Sequence, residues 1–294
     1  MRTLSSALTT HLAGTAHTLC TMMRLDLRDG STIALTDHDE AIDFDLGDGT
    51  ATYSPSTGIL PSDVTLAVGL DSSNFEVSGP IGDTVTRAAV IGGRFTRARV
   101  RLFMVNWANP EAAIAIMQGK IATTRVEAGK FIFEIRNAAD AFNQSIGRTV
   151  SPYCTADFGD SKCGITRTAY PATITAVSSA YGFTTDLGGA HADGFFNYGA
   201  VSFTSGALSG FSEIEVFNYI GATGVVELLA PFAVAPQVGD ALNIYQGCSK
   251  LRKSDDATQP TCFTYSNVLN FRGFPEVPGS ANYLKVAVPG APGA

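Results

Sequence analysis

The chain has one tryptophan and four histidines in 294 residues, and only 16% of it is charged. So little charge beside 45% apolar residues excludes a disordered chain and leaves enough material for a sizeable core. Basic residues are the scarcer sign, 20 Lys and Arg against 27 Asp and Glu. The net charge of −7 argues against a protein whose main task is coating nucleic acid. No apolar run reaches the roughly 18 residues that a membrane helix needs. The N-terminal MRTLSSALTTHLAGTAH has no unbroken apolar stretch of the secretory kind, so folding in a reducing cytoplasm is expected. Nucleophile and phosphate-loop signatures (G-x-S-x-G, H-E-x-x-H, the Walker loop) are missing. His11, His17, His38 and His191 are scattered, so catalysis has no positive support.

What is abundant is aromatic and turn-forming. Eighteen Phe, nine Tyr, 30 Gly and 13 Pro suit a β-rich protein with many turns. Leu4, Leu8 and Leu12 predict a short helix over 3–16. Extended runs then flank Asp29-Gly30 and Asp48-Gly49, both hairpin signals. Residues 62–79 read as short strands, 92–110 as the clearest strand, and two more strands flank Glu127-Ala128-Gly129-Lys130. A short helix is expected at 138–148. Seven or more strands before residue 150 predict a β-sandwich or open barrel. Residues 170–246 hold six further short strands with turns about every ten residues, the pattern of a small barrel. The expected fold is mainly β: an N-terminal β-rich domain at 1–148, a small inserted β-barrel-like domain at 170–246, and a four-cysteine region made of 149–169 and 247–294. The closing VPGAPGA reads as a frayed tail.

Five cysteines leave one over from any complete pairing. Cys154 and Cys163 precede the small β-domain as C-x8-C, and Cys248 and Cys262 follow it as C-x13-C. The ends of a compact β-domain can lie together, so these two halves can meet at its base. Four sulfurs would select zinc or an iron–sulfur cluster. The absence of C-x2-C knuckles weakens zinc, and a cluster is larger than one ion. Lys162, Lys250, Arg252 and Lys253 stand close by in sequence, where they would favour thiolates. Buried free thiols and disulfides remain open from spacing alone. Cys20, beside Leu19, Met22 and Met23, reads as a packed cysteine; were the other four ligands, it alone would be left as a nucleophile.

Two charged stretches invite functional readings. DHDEAIDFDLGDG (37–49) fails the calcium-loop spacing and reads as a solvated strand edge and turn, with Phe44 and Leu46 inward. Arg97, Arg99 and Arg101 alternate with Ala98, Val100, Leu102 and Met104, which predicts a basic stripe on one strand face. A solvated face, an acidic partner and the wall of a DNA channel are the readings open for it.

The string from Cys262 to Gly279, CFTYSNVLNFRGFPEVPG, carries a resemblance. Taken with Cys154…Cys163-Gly, Gly239-Asp240…Gly247-Cys248, Tyr53-Ser-Pro and Thr36-Asp37-His38-Asp39, it resembles phage tail-tip hub (baseplate) proteins across essentially the whole chain. These include the hub proteins of alphaproteobacterial gene transfer agents, and they are similar in role to the tail tip protein L of lambda-like phages. The resemblance implies a non-enzymatic, homotrimeric structural protein at the tail tip of a phage-like particle, assembled in the host cytoplasm. Its implied partners are the distal tail protein, a central megatron-like or tail-fibre tip protein and a cell-wall peptidase, with DNA only in passing through the channel. It also implies that Cys154, Cys163, Cys248 and Cys262 hold a structural iron–sulfur cluster, expected to be 4Fe-4S, with zinc as the alternative. The rival readings are a zinc-stapled carbohydrate-binding module and a cluster-dependent or cysteine enzyme acting at the cell wall.

Overall fold

A computed structural model describes residues 4–45, 47, 49–55, 60–61, 74–143, 147–148 and 150–276. Two compact units are present: Met1–Ser145 with Ala207–Ser212, and Ile146–Gly206 with Glu213–Ala294.

In the first unit, α1 (Ser6–Leu12) starts at Ser5, whose hydroxyl accepts the Leu8 N–H. The strands are β1 (Leu19–Asp26), β2 (Thr32–Thr36), β3 (Ile42–Asp45), β4 (Thr50–Pro55), β5 (Leu60–Pro61), β6 (Asn74–Pro80), β7 (Arg99–Asn106), β8 (Ala113–Glu127) and β9 (Lys130–Arg136). Among the described residues they form one nine-stranded sheet, β3-β4-β2-β1-β7-β8-β9-β6-β5. The expected sandwich or open barrel is therefore a single continuous sheet. All its pairings are antiparallel except β2 with β4.

Both faces of the centre are packed. Met23, Leu25, Val100, Leu102, Phe131, Phe133 and Ile135 share one core with Phe95 and with Ala89 and Val90 of α2 (Arg87–Ile91). On the opposite face Cys20, Met22, Phe103 and Val105 pack against Ile42 and Tyr53 of the β3–β4 hairpin. This double burial explains why β7 is nearly all apolar beyond Arg101.

The turns follow local chemistry. Gly30 takes φ +83° between β1 and β2, and Asp45 accepts the N–H groups of Gly47 and Gly49 after β3. Ala128 and Gly129 (φ +45° and +77°) make the two-residue β8–β9 turn. Of the expected helix at 138–148, the described residues hold one 3-10 segment, Ala138–Asn143, and residues 144–146 lie outside them. Residues 62–73, read as strand, the 277–294 tail and Leu46 lie outside the described residues.

The second unit contains β10 (Ala169–Val177), β11 (Gly182–Thr185), β12 (Ala200–Phe203), β13 (Ile214–Ile220), β14 (Val225–Leu228) and β15 (Ala241–Tyr245). They close as β10-β11-β14-β13-β12-β15, the six strands the turn spacing predicts. Ile174, Phe183, Val201, Tyr219, Val226 and Ile244 fill the interior. Irregularities at Ile174/Ala176 and Val216/Asn218 bend two strands and help close so small a barrel.

Candidate functional site

The barrel brings its own ends together. β10 pairs with β15 from Ala169↔Tyr245 onward, so the chain enters and leaves side by side. Beyond that pair, residues 249–252 run beside 260–263: Ser249 N–H donates to Pro260 O at 2.8 Å, Cys262 N–H to Leu251 O at 3.1 Å, and Phe263 N–H to Arg252 O at 3.0 Å. Cys154 joins the same arm, its N–H reaching Lys250 O at 2.7 Å. Two segments separated by a whole barrel are thereby tied by backbone bonds.

Each cysteine has its own setting. The Arg272 N–H donates to Cys154 Sγ at 3.4 Å. Cys163 follows a turn organised by Asp160, whose carboxylate accepts the N–H groups of Cys163, Lys162 and Asp157. Those bonds, with the Lys162 charge, hold the Asp160 carboxyl below its usual range. Cys248 lines a cavity of about 390 Å³ with Phe158, Tyr198 and Lys250. Cys262 is buried, with Sγ donating to Asn267 O at 3.7 Å.

Burial, with a smaller contribution from charge repulsion by the nearby Cys248, Cys154 and Cys163, pushes the Cys262 thiol up to about 11. Burial also raises Cys248; its hydrogen bond with the Lys250 backbone and the Lys250 charge oppose this, while Cys154 and Cys163 add to it. All four predicted residues therefore share one electrostatic neighbourhood. They do not form a closed ligand shell: all five cysteines are unpaired, and among the described residues no three His, Cys, Asp or Glu groups are close enough to hold one metal ion. The expected four-cysteine site is therefore not formed among the described residues: the sulfurs lie in one region but make no near pairs. In donor chemistry four thiolates would fit either a zinc ion or an iron–sulfur cluster.

The flanking residues were not visible to sequence reasoning. Asn267 is 9% exposed and links both halves. Its Nδ2 donates to Cys163 O at 2.7 Å, its N–H to Cys262 O at 2.9 Å, and its Oδ1 accepts from Asn270. Tyr265 donates to Gly247 O at 2.8 Å, and burial raises its phenol above the usual range. The asparagines of the 262–279 string were the available signal. Of the predicted cations, Lys250 pairs with Asp157 and Arg252 with Glu276.

The other predicted features lie in the first unit. β7 begins at Arg99, while Arg97 precedes it with φ +61°, so Arg97 does not belong to the stripe. A left-handed residue breaks the alternation on which that expectation rested. Arg101 is largely buried and donates to Asp26 at 3.0 Å, leaving Arg99 the exposed member. In the acidic stretch, Asp37 accepts the Thr21 N–H and Asp43 the Thr52 hydroxyl, which are turn and edge duties. Cys20 is packed as expected, its Sγ donating to Val105 O at 3.6 Å.

A largely antiparallel sheet followed by a small closed barrel, with no catalytic constellation described on either, is an architecture whose role the comparisons supply. Residues 5–166 match the family described as baseplate hub protein, N-terminal attachment domain, and the chain belongs to that family, which sets it at the tail of a phage-like particle. Residues 194–281 match a second family, phage conserved hypothetical protein BR0599. Among solved structures the chain is similar to one in the virion of a native gene transfer agent particle, at TM-score 0.79 and 29% identity, over 99% of this chain and 98% of that one. No curated protein sequence matches.

Proposed function

We propose that the chain is the trimeric hub of a gene-transfer-agent-like tail tip, joining the distal tail ring to the central tip protein. A 4Fe-4S cluster on Cys154, Cys163, Cys248 and Cys262 would fix its C-terminal region. The observation that carries the hub role is the similarity to a virion chain over 99% of the sequence, on top of the hub-family match. DNA contact in this reading is limited to passage through the channel, and a cell-wall peptidase is a further neighbour.

The cluster reading is supported by the nearness of four sulfurs carried on two arms that hydrogen bonds and the Lys250–Asp157 ion pair already hold together. A bound cluster would supply covalent crosslinks between those arms, as a disulfide or zinc would, in a compartment where disulfides are reduced. The chain's own residues prepare the place. Arg272 and Asn267 aim donors at sulfur, Asp160 shapes the Cys163 turn, and Tyr265 anchors Gly247 beside Cys248. N–H donors on sulfur stabilise the negative charge of bound thiolates.

The test is metal, sulfide and visible absorption of anaerobically purified protein, beside a Cys163→Ser/Cys262→Ser variant. Iron with sulfide and broad absorption, lost in the variant, is the expected result. Stoichiometric zinc without colour would replace the cluster with a single ion, and metal-free protein would remove the staple. Light scattering on the same samples checks the trimer separately; a stable monomer at tail-assembly concentration would remove the ring.

A further inference from the structure

Antiparallel register aligns a row of basic side chains across the first unit's sheet. Arg99 of β7 lies directly opposite Lys120 of β8, and Lys120 directly opposite Arg136 of β9. Directly paired residues project from the same face, here the one away from Val100, Ile121 and Ile135 of the core. Arg99 and Lys120 are exposed, and the Arg136 side chain is 40% exposed.

Like charges at directly opposite positions destabilise a sheet. The neighbouring carboxylates relieve only the Arg136 end of this row. Asp26, across from Arg99, gives one oxygen to Arg24 and the other to Arg101. Glu134 and Asp140 both pair with Arg136. Arg99 and Lys120 have no ion pair among the described residues. In a chain of net charge −7, two adjacent unpaired cations are set where they repel each other.

We propose that Arg99, Lys120 and Arg136 form a docking row for an acidic segment of a partner protein. Adjacent strands are about 4.8 Å apart, so the row spans roughly 10 Å. Carboxylates at i, i+4 and i+7 of a helix, each about 5–6 Å from the next, match that spacing. A protein partner is favoured over a phosphate backbone because the row is short and ends in carboxylates, Asp26 on one side and Glu134 with Asp140 on the other. A stiff duplex would carry its phosphates on into those charges, whereas a flexible acidic peptide can turn away after three contacts. The inference concerns the first unit and does not depend on the cysteine reading.

The experiment uses the full chain, fluorescent poly-L-glutamate and a short DNA duplex, at low and high salt. Wild-type protein should bind polyglutamate more tightly than DNA, with binding lost at high salt. Arg99→Glu/Lys120→Glu should weaken polyglutamate binding about tenfold or more, while Arg87→Glu, a control in α2, should not. Lys120→Glu alone provides a second readout. It puts a carboxylate between Arg99 and Arg136 and should raise Tm by about 2–4 °C while weakening binding. A raised Tm with binding unchanged would reduce the row to a solvated face and overturn the proposal. Tighter binding of DNA than of polyglutamate would overturn it in favour of nucleic acid.

Discussion

Asn267 reaches the Cys163 carbonyl oxygen through Nδ2 at 2.7 Å, joining the segment before the barrel to the one after it, 104 residues away. The same residue's N–H holds Cys262 O, so one buried amide touches both cysteine-bearing loops. It adds to the Cys154 N–H bond to Lys250 O and the Lys250–Asp157 ion pair, which tie the same two segments.

Asn267→Ala should therefore destabilise the second unit by about 1–3 kcal/mol, the range for leaving a buried polar group unsatisfied. Urea unfolding of metal-free protein reads this directly. Asn267→Asp keeps the shape but removes the donor, and should be at least as costly. The penalty should shrink once iron is bound, because covalent links then replace the amide. An unchanged penalty would mean that metal and amide do not constrain the same loops.

The β8–β9 turn makes a different prediction. Ala128 sits at φ +45°, where a Cβ crowds the backbone by roughly 1–2 kcal/mol. Asn tolerates that region, and Asn-Gly is the favoured pair for such a turn. Ala128→Asn should stabilise the protein by about 0.5–1 kcal/mol, read as a higher denaturation midpoint with unchanged slope. Ala128→Val should do the opposite.

His191 gives the second unit a pH dependence. Its ring stacks on Phe195 at 4.2 Å and meets Tyr170 and Phe196 edge-on at 5.2 Å. Burial lowers its pKa below the ordinary 6.5, so the folded chain takes the proton less readily than the unfolded one. The stability it contributes is complete above that ordinary value and is lost as pH falls through the folded pKa. Thermal unfolding from pH 7.5 downward should show this decline, and His191→Phe should flatten it. An unaltered pH profile in the variant would assign the decline to carboxylates.

The barrel was legible because each of its strands is short and bounded by turn residues, and because only a closed sheet hides so many. That the chain enters and leaves the barrel side by side was legible too, and the β10–β15 pairing is what does it; the four-cysteine site expected at that place is not formed among the described residues. The sheet was less so. β7 reads plainly as a strand, but its burial on both faces beyond Arg101 hides the single sheet it centres, and Arg97 resembles part of a stripe because spacing does not reveal a left-handed residue. Lys120 and Arg136 joined Arg99 only through register, a property of paired strands that no single segment displays. Asn267 stands in the 262–279 string, but its bond to Cys163 spans 104 residues, so no local pattern names its partner.

The fifth cysteine separates packing from chemistry. Cys20 is 5% exposed, lies among Met22, Tyr53, Phe103 and Val105, and burial raises its thiol pKa. A thiol that is both covered and protonated attacks slowly, since thiolate is the reactive form. In metal-free native protein, a thiol reagent should modify the half-buried Cys154, Cys163 and Cys248 first and reach Cys20 only on unfolding. Cys20→Ser should leave particle assembly unchanged and cost at most about 1–2 kcal/mol, because the hydroxyl can still donate to Val105 O. Mass mapping of the modified cysteines against time decides it. Fast modification of Cys20 in the folded state would restore the nucleophile reading, because rapid attack requires the exposed, ionised thiol that this packing denies.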